Sequence, residues 1–477
     1  MSSNDPPAFT RTARPDGVVR VAYDLPGEAV NTLRPTFGEE LGRMLDEIAG
    51  EPRVEAVILV SGKPDAFIAG ADLALIQRLI TSAEAEAMCR AGHRAIQRLY
   101  ASRKPVVAAV HGAALGGGFE VALACQGRVL SDDPKTMLSL PEVKLGLLPG
   151  IHGLQRLAEK AGMRAALDHG LSGKSMRAEK ALALGVADAV VPRDRLEDAA
   201  ASLALRLAAG GPPFHRRPTP ITKALTRAAL EQNPLGRRLV FREARAELLK
   251  KTRGHYPAPE KILHVLETWA AKGFEASAEA EVRAAGELCV SSVAKRLIEL
   301  FFAQTALKKE PDCMAAALDD RPGSFLARIL APLLDEMDHL GAEGIPADAI
   351  DEALLAWGFT KAPSSLRGAE PLPEPAASAK STLYPEEIQM RCALRMVNEA
   401  VRCLGEGLPE SPREGDVGAV LGLGFPPFRG GPFRYVDDIG PAEIDKRLRR
   451  FAQRAGDRFI PSPLLAEMAG SRRRFYP

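Results

Sequence analysis

Through the N-terminal third of the chain, apolar positions switch between short continuous runs and helical spacing. VVRVAYDL (18–25), VEAVILVSG (54–62) and KPVVAAVHG (104–112) are short, rich in β-branched residues and flanked by Gly or Pro, as buried strands are. Between the first two, FGEELGRMLDEIAG (37–50) sets Phe37, Leu41, Leu45 and Ile48 on one helical face. GRVLSDD (127–133) predicts a further strand. Strands alternating with amphipathic helices predict an α/β layer structure. From about Met163 the pattern is mainly helical. Two loop-like stretches interrupt it, AAGGPPFHRRPTP (208–220) and KAPSSLRGAEPLPEPAASAKS (361–381), the second poor in aromatic and branched residues. The predicted organisation is an α/β domain over 1–207, a helical region over 208–310, a short helical region over 311–360, a Pro/Ala/Ser-rich linker over 361–383 and a helical domain over 384–477.

Composition narrows the function classes. Across 477 residues, 63 basic side chains against 61 acidic ones leave no net field to draw nucleic acid or an anionic membrane. The longest apolar stretch, Val106–Cys125, is interrupted by His111, Glu120 and four glycines, which predicts buried core and no integral membrane segment. MSSNDPPAF lacks the charged-then-apolar pattern of a secretory signal. The six cysteines are scattered, without CxxC pairs or a Cys/His cluster at metal-ligand spacing, which predicts a cytoplasmic location and no bound metal.

Three segments carry candidate chemistry. ALGGGFEVAL (114–123) sets three consecutive glycines before Phe119, Glu120 and an apolar run. Glycines permit close backbone approach, and a helix starting there leaves its first N–H groups free to bind a developing negative oxygen. AFIAGADLALI (66–76) has a similar form around Gly70, Ala71 and Asp72, so one N–H from each segment would make an oxyanion hole. LSLPEVKLGLLPG (138–150) adds a second glutamate, Glu142. Taken singly, a glycine triplet is a packing device and a glutamate near a helix start only complements the helix dipole.

In this order, however, the segments strongly resemble the crotonase superfamily, and within it the enoyl-CoA hydratases, over roughly residues 8–200. The resemblance implies a crotonase-like ββα-repeat fold. It also implies that Ala71 and Gly117 supply the oxyanion-hole N–H groups, that Glu120 and Glu142 are paired acid/base carboxylates, and that Gly150 helps seat the catalytic water. The substrate would be a 2-enoyl-CoA thioester, coenzyme A being part of the substrate and not a cofactor. Two carboxylates favour hydration over double-bond isomerisation, for which one suffices. An isomerase or other crotonase-type reaction and a non-catalytic, partner-binding scaffold are the alternatives. Lys104, just before a predicted core strand, is a candidate coenzyme A contact. In PGIHGLQRL (149–157), Ile151, His152 and Leu154 stand where such relatives carry small or polar residues, and His152 is read as a packed or solvated side chain.

The second half resembles the α-subunits of bacterial fatty-acid oxidation complexes, which join a hydratase to a 3-hydroxyacyl-CoA dehydrogenase. The similar segments are 251–288, 295–309, 319–358 and 386–440, the last an all-α dehydrogenase-C-terminal-like region. Between Lys309 and Asp319 such a subunit would hold a dinucleotide-binding domain of about 150 residues. This chain has fewer than a dozen there, and no GxGxxG follows a predicted strand. LARIL (326–330) carries Ala327 where the resemblance implies an active-site asparagine. These features predict that dehydrogenase activity is lost, that no NAD binds and that the helical scaffold remains. The implied partner is a thiolase subunit, and the implied state an oligomer. GLGFPPFRGGPF (422–433) is read as a structural corner, since its prolines remove N–H donors.

Overall fold

The computed structural model describes residues 7–213, 233–367, 384–471 and 473–476. Residues 214–220 of the first loop-like stretch and 368–383 of the linker lie outside the described residues. The chain forms two compact units, Met1–Ala294 and Lys295–Pro477.

In the first unit the predicted strands join a six-stranded sheet. Its members are β1 (Phe9–Ala13), β2 (Val18–Tyr23), β3 (Ala56–Ser61), β5 (Val106–Val110), β7 (Gly127–Ser131) and β10 (Ala189–Val191), in the order β1-β2-β3-β5-β7-β10. Only the β1–β2 pair is antiparallel; the rest pair in parallel. A second sheet has the order β4 (Ala66–Ile68), β6 (Ala113–Leu115), β8 (Met137–Ser139) and β9 (Met176–Arg177). Strands β3, β5 and β7 each continue into a short strand of the second sheet and then into a helical segment. This is the ββα repeat. Gly112 makes the switch from β5 to β6 at φ +61°, where a Cβ would lie 2.0 Å from the Asp65 carbonyl oxygen. Ala200, Leu203 and Ala204 of the helix Leu196–Ala208 share an apolar core with Ile58, Val107 and Val129 of the large sheet.

Among the described residues no strand follows Val191. The helices Pro257–Lys272 and Phe274–Cys289 pack on each other, and the second also packs on α3 (Ser82–Tyr100), where Val282 and Ala285 bury Cys89. The helical segment 208–310 is therefore divided: its helices to Cys289 belong to the first unit, whereas Lys295 begins the second.

In the second unit, Phe325, Ile329, Leu333 and Met337 of the helix Phe325–Ala342 share one core with Cys392, Met396 and Val397 of the helix Pro385–Gly405. Segments 311–360 and 384–477 thus cooperate in one core instead of folding apart. The corner at Gly431 is structural. A Cβ there would lie 2.3 Å from Asp416 Oδ1, and this buried carboxylate accepts hydrogen bonds from Phe433 N–H (2.8 Å), Arg434 N–H (3.2 Å) and the Tyr476 hydroxyl (2.6 Å).

Candidate active site

The three consecutive glycines each answer to a different neighbour. Gly116 has φ +52°, and a Cβ there would lie 2.4 Å from Glu142 Oε1. At Gly117 a Cβ would meet Leu33 Cδ1 at 2.6 Å and stand 3.8 Å from the Ala71 nitrogen. At Gly118 it would lie 2.1 Å from the Ile68 carbonyl oxygen of β4. The helix α4 (Gly117–Ala124) that starts here is buried along all of its length, so its first turn is pressed against β4 and β6.

This packing brings the two amides named in the sequence together. Residues 31–33 run beside 69–71: Ala69 N–H donates to the Asn31 carbonyl (2.7 Å) and Leu33 N–H to the Gly70 carbonyl (2.8 Å). Gly117, the first residue of its helix, has no intrahelical acceptor for its N–H. Among the described residues neither Ala71 N–H nor Gly117 N–H is spent on a hydrogen bond. Asp72 is occupied as a cap, its Oδ1 accepting from Ala74 N–H (2.9 Å).

Glu120 is buried in the first turn of α4. Its Oε1 accepts from Ile151 N–H (2.9 Å) and Gly153 N–H (2.7 Å), and a Cβ at Gly153 would lie 2.6 Å from Glu120 Cγ. Burial, followed by the charges of Glu142 and Glu281, pushes the Glu120 carboxyl well above the usual carboxylate range; the two N–H donors oppose this. Glu142 lies on a short 3-10 turn, Pro141–Leu145, with its Oε2 buried and unpartnered. Burial is the main cause that pushes it up to about 8, with Glu281 adding to the rise. Two carboxyls with raised affinity for a proton, beside two unspent N–H groups, are the parts for moving protons around a developing oxyanion.

Gly150 begins the loop that holds Glu120. Its carbonyl accepts from the Cys89 thiol (3.0 Å). Lys104 is placed elsewhere: it precedes β5, whereas the site lies beyond the other end of that strand, and its ammonium donates to the Glu51 carbonyl. The coenzyme A contact proposed for it gains no support from this position. His152 is packed, at φ 72°, with its ring 3.8 Å from that of His93 and 4.7 Å from that of Phe274. Burial lowers its pKa to about 4, so it is neutral near pH 7.

Sequence reasoning missed Glu281. This fully buried residue accepts from His152 N–H (2.9 Å) and Gln155 Nε2 (2.8 Å), and its Oε1 is 2.7 Å from His93 Nε2. One signal was available: Ser277, Glu281, Ala284 and Leu288 follow the buried period of their helix, so Glu281 is a charge inside an apolar stripe. Cys89, His93 and Glu281 also bring ligand-type atoms within 4.8 Å of one another. Here the Cys89 thiol donates to the Gly150 carbonyl, and His93 and Glu281 are hydrogen-bonded to each other.

Residues 14–256 match the enoyl-CoA hydratase/isomerase family. The chain belongs to that family. The match takes in Ala71, Gly117, Glu120 and Glu142, and ends before Glu281. Among similar proteins, fatty acid oxidation complex subunit alpha of Shewanella sp. (strain MR-7) is 29% identical across 98% of this chain and 99% of its own length. The same subunit of Shewanella putrefaciens is 29% identical across 97% and 98%. Among solved structures, an enoyl-CoA hydratase from Bacillus anthracis is 27% identical, with TM-score 0.40, over 51% of this chain and 90% of its own. Human mitochondrial delta3-delta2-enoyl-CoA isomerase is 23% identical, with TM-score 0.44, over 64% and 99%. This enoyl-CoA hydratase/isomerase family member thus combines a crotonase-like N-terminal fold with a helical C-terminal region.

Proposed function

We propose that the protein hydrates 2-enoyl-CoA thioesters to 3-hydroxyacyl-CoA in fatty-acid β-oxidation. The observation that carries this reading is the pair Glu120 and Glu142, both with raised proton affinity, set beside the unspent N–H groups of Ala71 and Gly117. In this mechanism the thioester oxygen accepts from those two N–H groups as negative charge develops on it. One carboxylate of the pair, in its anionic form, takes a proton from water, and the hydroxide oxygen bonds to Cβ of the enoyl group. The other, in its protonated form, delivers its proton to Cα. Gly150 N–H seats the water. The carboxyls then exchange one proton with each other or with solvent, which restores the starting state.

Coenzyme A enters as part of the substrate, and no NAD is used. Cytoplasmic location, an oligomeric state and a thiolase partner belong to the same proposal. The partner is supported by the relatives' designation as subunits of a complex, and light scattering of the chain co-expressed with thiolases of its source tests both partner and assembly. The decisive assay incubates the full chain with crotonyl-CoA and longer 2-enoyl-CoAs and follows loss of the enoyl-thioester absorbance. Accumulation of 3-hydroxyacyl-CoA is expected. Movement of the double bond in 3-enoyl-CoA without hydration of any 2-enoyl-CoA would replace hydratase by isomerase.

A further inference from the structure

We infer that Glu281, on the helix Phe274–Cys289 beyond the family match, is a positioning residue for Glu120, acting through the loop 150–153. The inference rests on the assignment of Glu120 and Glu142 as the acid/base pair. Three successive backbone N–H groups of this loop are divided between two carboxylates: Ile151 and Gly153 donate to Glu120 Oε1, and His152, between them, donates to Glu281 Oε1. The peptide units that orient Glu120 are thus held from behind by Glu281. A second hold comes from Glu281 Oε2, which accepts from Gln155 in the first turn of the helix Gly153–Ala161. A third runs from His93, also against Glu281 Oε1, on the same α3 helix whose Cys89 thiol donates to the Gly150 carbonyl. Three donors from α3 and the loop segment converge on one acceptor-only group, which fixes the loop at both ends.

A buried carboxylate is a costly way to fix a loop unless its charge is also used. The titratable groups facing Glu281 are Cys89 and His93 from α3, Glu120 from α4, Glu142 from the 3-10 turn and His152 from the loop. Its negative charge raises the proton affinity of both Glu120 and Glu142. Position and charge can be separated experimentally, because Gln155 Oε1 is buried and unpartnered. In Glu281→Gln the new amide oxygen can keep the bonds to His152 and His93, while its NH2 donates to a flipped Gln155. The scaffold is retained and the charge is lost. Glu281→Ala loses both.

The test compares the full-length wild type with Glu281→Ala and Glu281→Gln in enoyl-CoA hydration across pH, together with a crystal structure of each variant. Glu281→Ala is expected to lower kcat on the order of 10- to 100-fold, the scale of a displaced catalytic group. KM should stay within about 2-fold, since the oxyanion N–H groups lie on other segments. Glu281→Gln is expected to recover most of that kcat, with both limbs of its pH profile moved to lower pH, and to retain the two N–H bonds to Glu120 that Glu281→Ala loses. A folded Glu281→Ala with wild-type kcat and pH profile overturns the inference. If Glu281→Ala does not fold, an unmoved profile in Glu281→Gln overturns it. Wild-type inactivity toward every enoyl-CoA overturns the hydratase reading alone, and the Glu120 geometry in the two crystal structures then decides the role of Glu281.

Discussion

At Glu142, stability and proposed function pull in opposite directions. Its carboxyl, raised by burial from the model-peptide range to about 8, binds a proton in the folded state across a pH window in which the unfolded chain has released it. Folding stability is therefore lost as pH rises from about 4.5 towards 8. Glu142→Gln, which carries no such proton, should melt above the wild type at pH 8.5, with the gap closing towards pH 5; the difference reaches on the order of a few kcal/mol at most. Thermal denaturation at the two pH values checks the sign. The same substitution, and Glu120→Gln, should each lower kcat by roughly 100-fold or more, the scale of positioned acid/base catalysis, read from the absorbance of crotonyl-CoA. An unchanged rate in Glu120→Gln beside an inactive Glu142→Gln would leave a single-carboxylate mechanism. Both glutamates were legible in the sequence because each lies inside a local motif whose glycines and proline fix the backbone around it.

At the scale of elements, the site depends on how closely backbone segments approach. Gly153 leaves room for the Glu120 side chain, so Gly153→Ala should displace that carboxylate and lower kcat with a smaller change in KM. Gly118→Ala is of another kind. Its Cβ would enter the Ile68 carbonyl, a backbone atom that cannot move aside without shifting β4, and overpacking of this kind costs about 1–3 kcal/mol or more. Urea denaturation should show that loss, whereas Gly153→Ala should unfold closer to wild type. The strands β2, β3, β5 and β7 were legible from short apolar runs. The two-residue strand β9 was not, because Met176–Arg177 has no period of its own and becomes a strand only by pairing with β8.

On the scale of the whole molecule, no strand follows Val191 among the described residues, and the undescribed internal segments 214–232 and 368–383 are far shorter than the ~150 residues of a dinucleotide-binding domain. The alignment with the first Shewanella relative runs over 712 positions, against 477 residues in this chain, which accords with an internal segment lacking here. Isothermal titration with NAD should accordingly give no saturable heat, and hydration should end at the 3-hydroxyacyl-CoA whether or not NAD is present. Micromolar NAD binding would defeat this prediction. The second unit keeps its shape for reasons of its own: its two predicted segments share one core, and Asp416 ties the corner at 431–434 to Tyr476.

The sequence by itself determined the strand and helix alternation and the local form of the segments that carry Ala71, Gly117, Glu120 and Glu142, because each depends on residues close together along the chain. Burial periodicity, glycine placement and a proline-led turn are local properties, and they survive in a one-dimensional reading. Only the tertiary structure decided which solvation each carboxylate has, where the unit boundary falls inside 208–310, and that Lys104 lies at the far end of its strand from the site. Only it joined Glu281 to His93 and His152, across 188 and 129 positions of chain. The physical reason is that a buried charge acts through distance in space and through the dielectric around it. Neither exists until the helix Phe274–Cys289 has packed against α3.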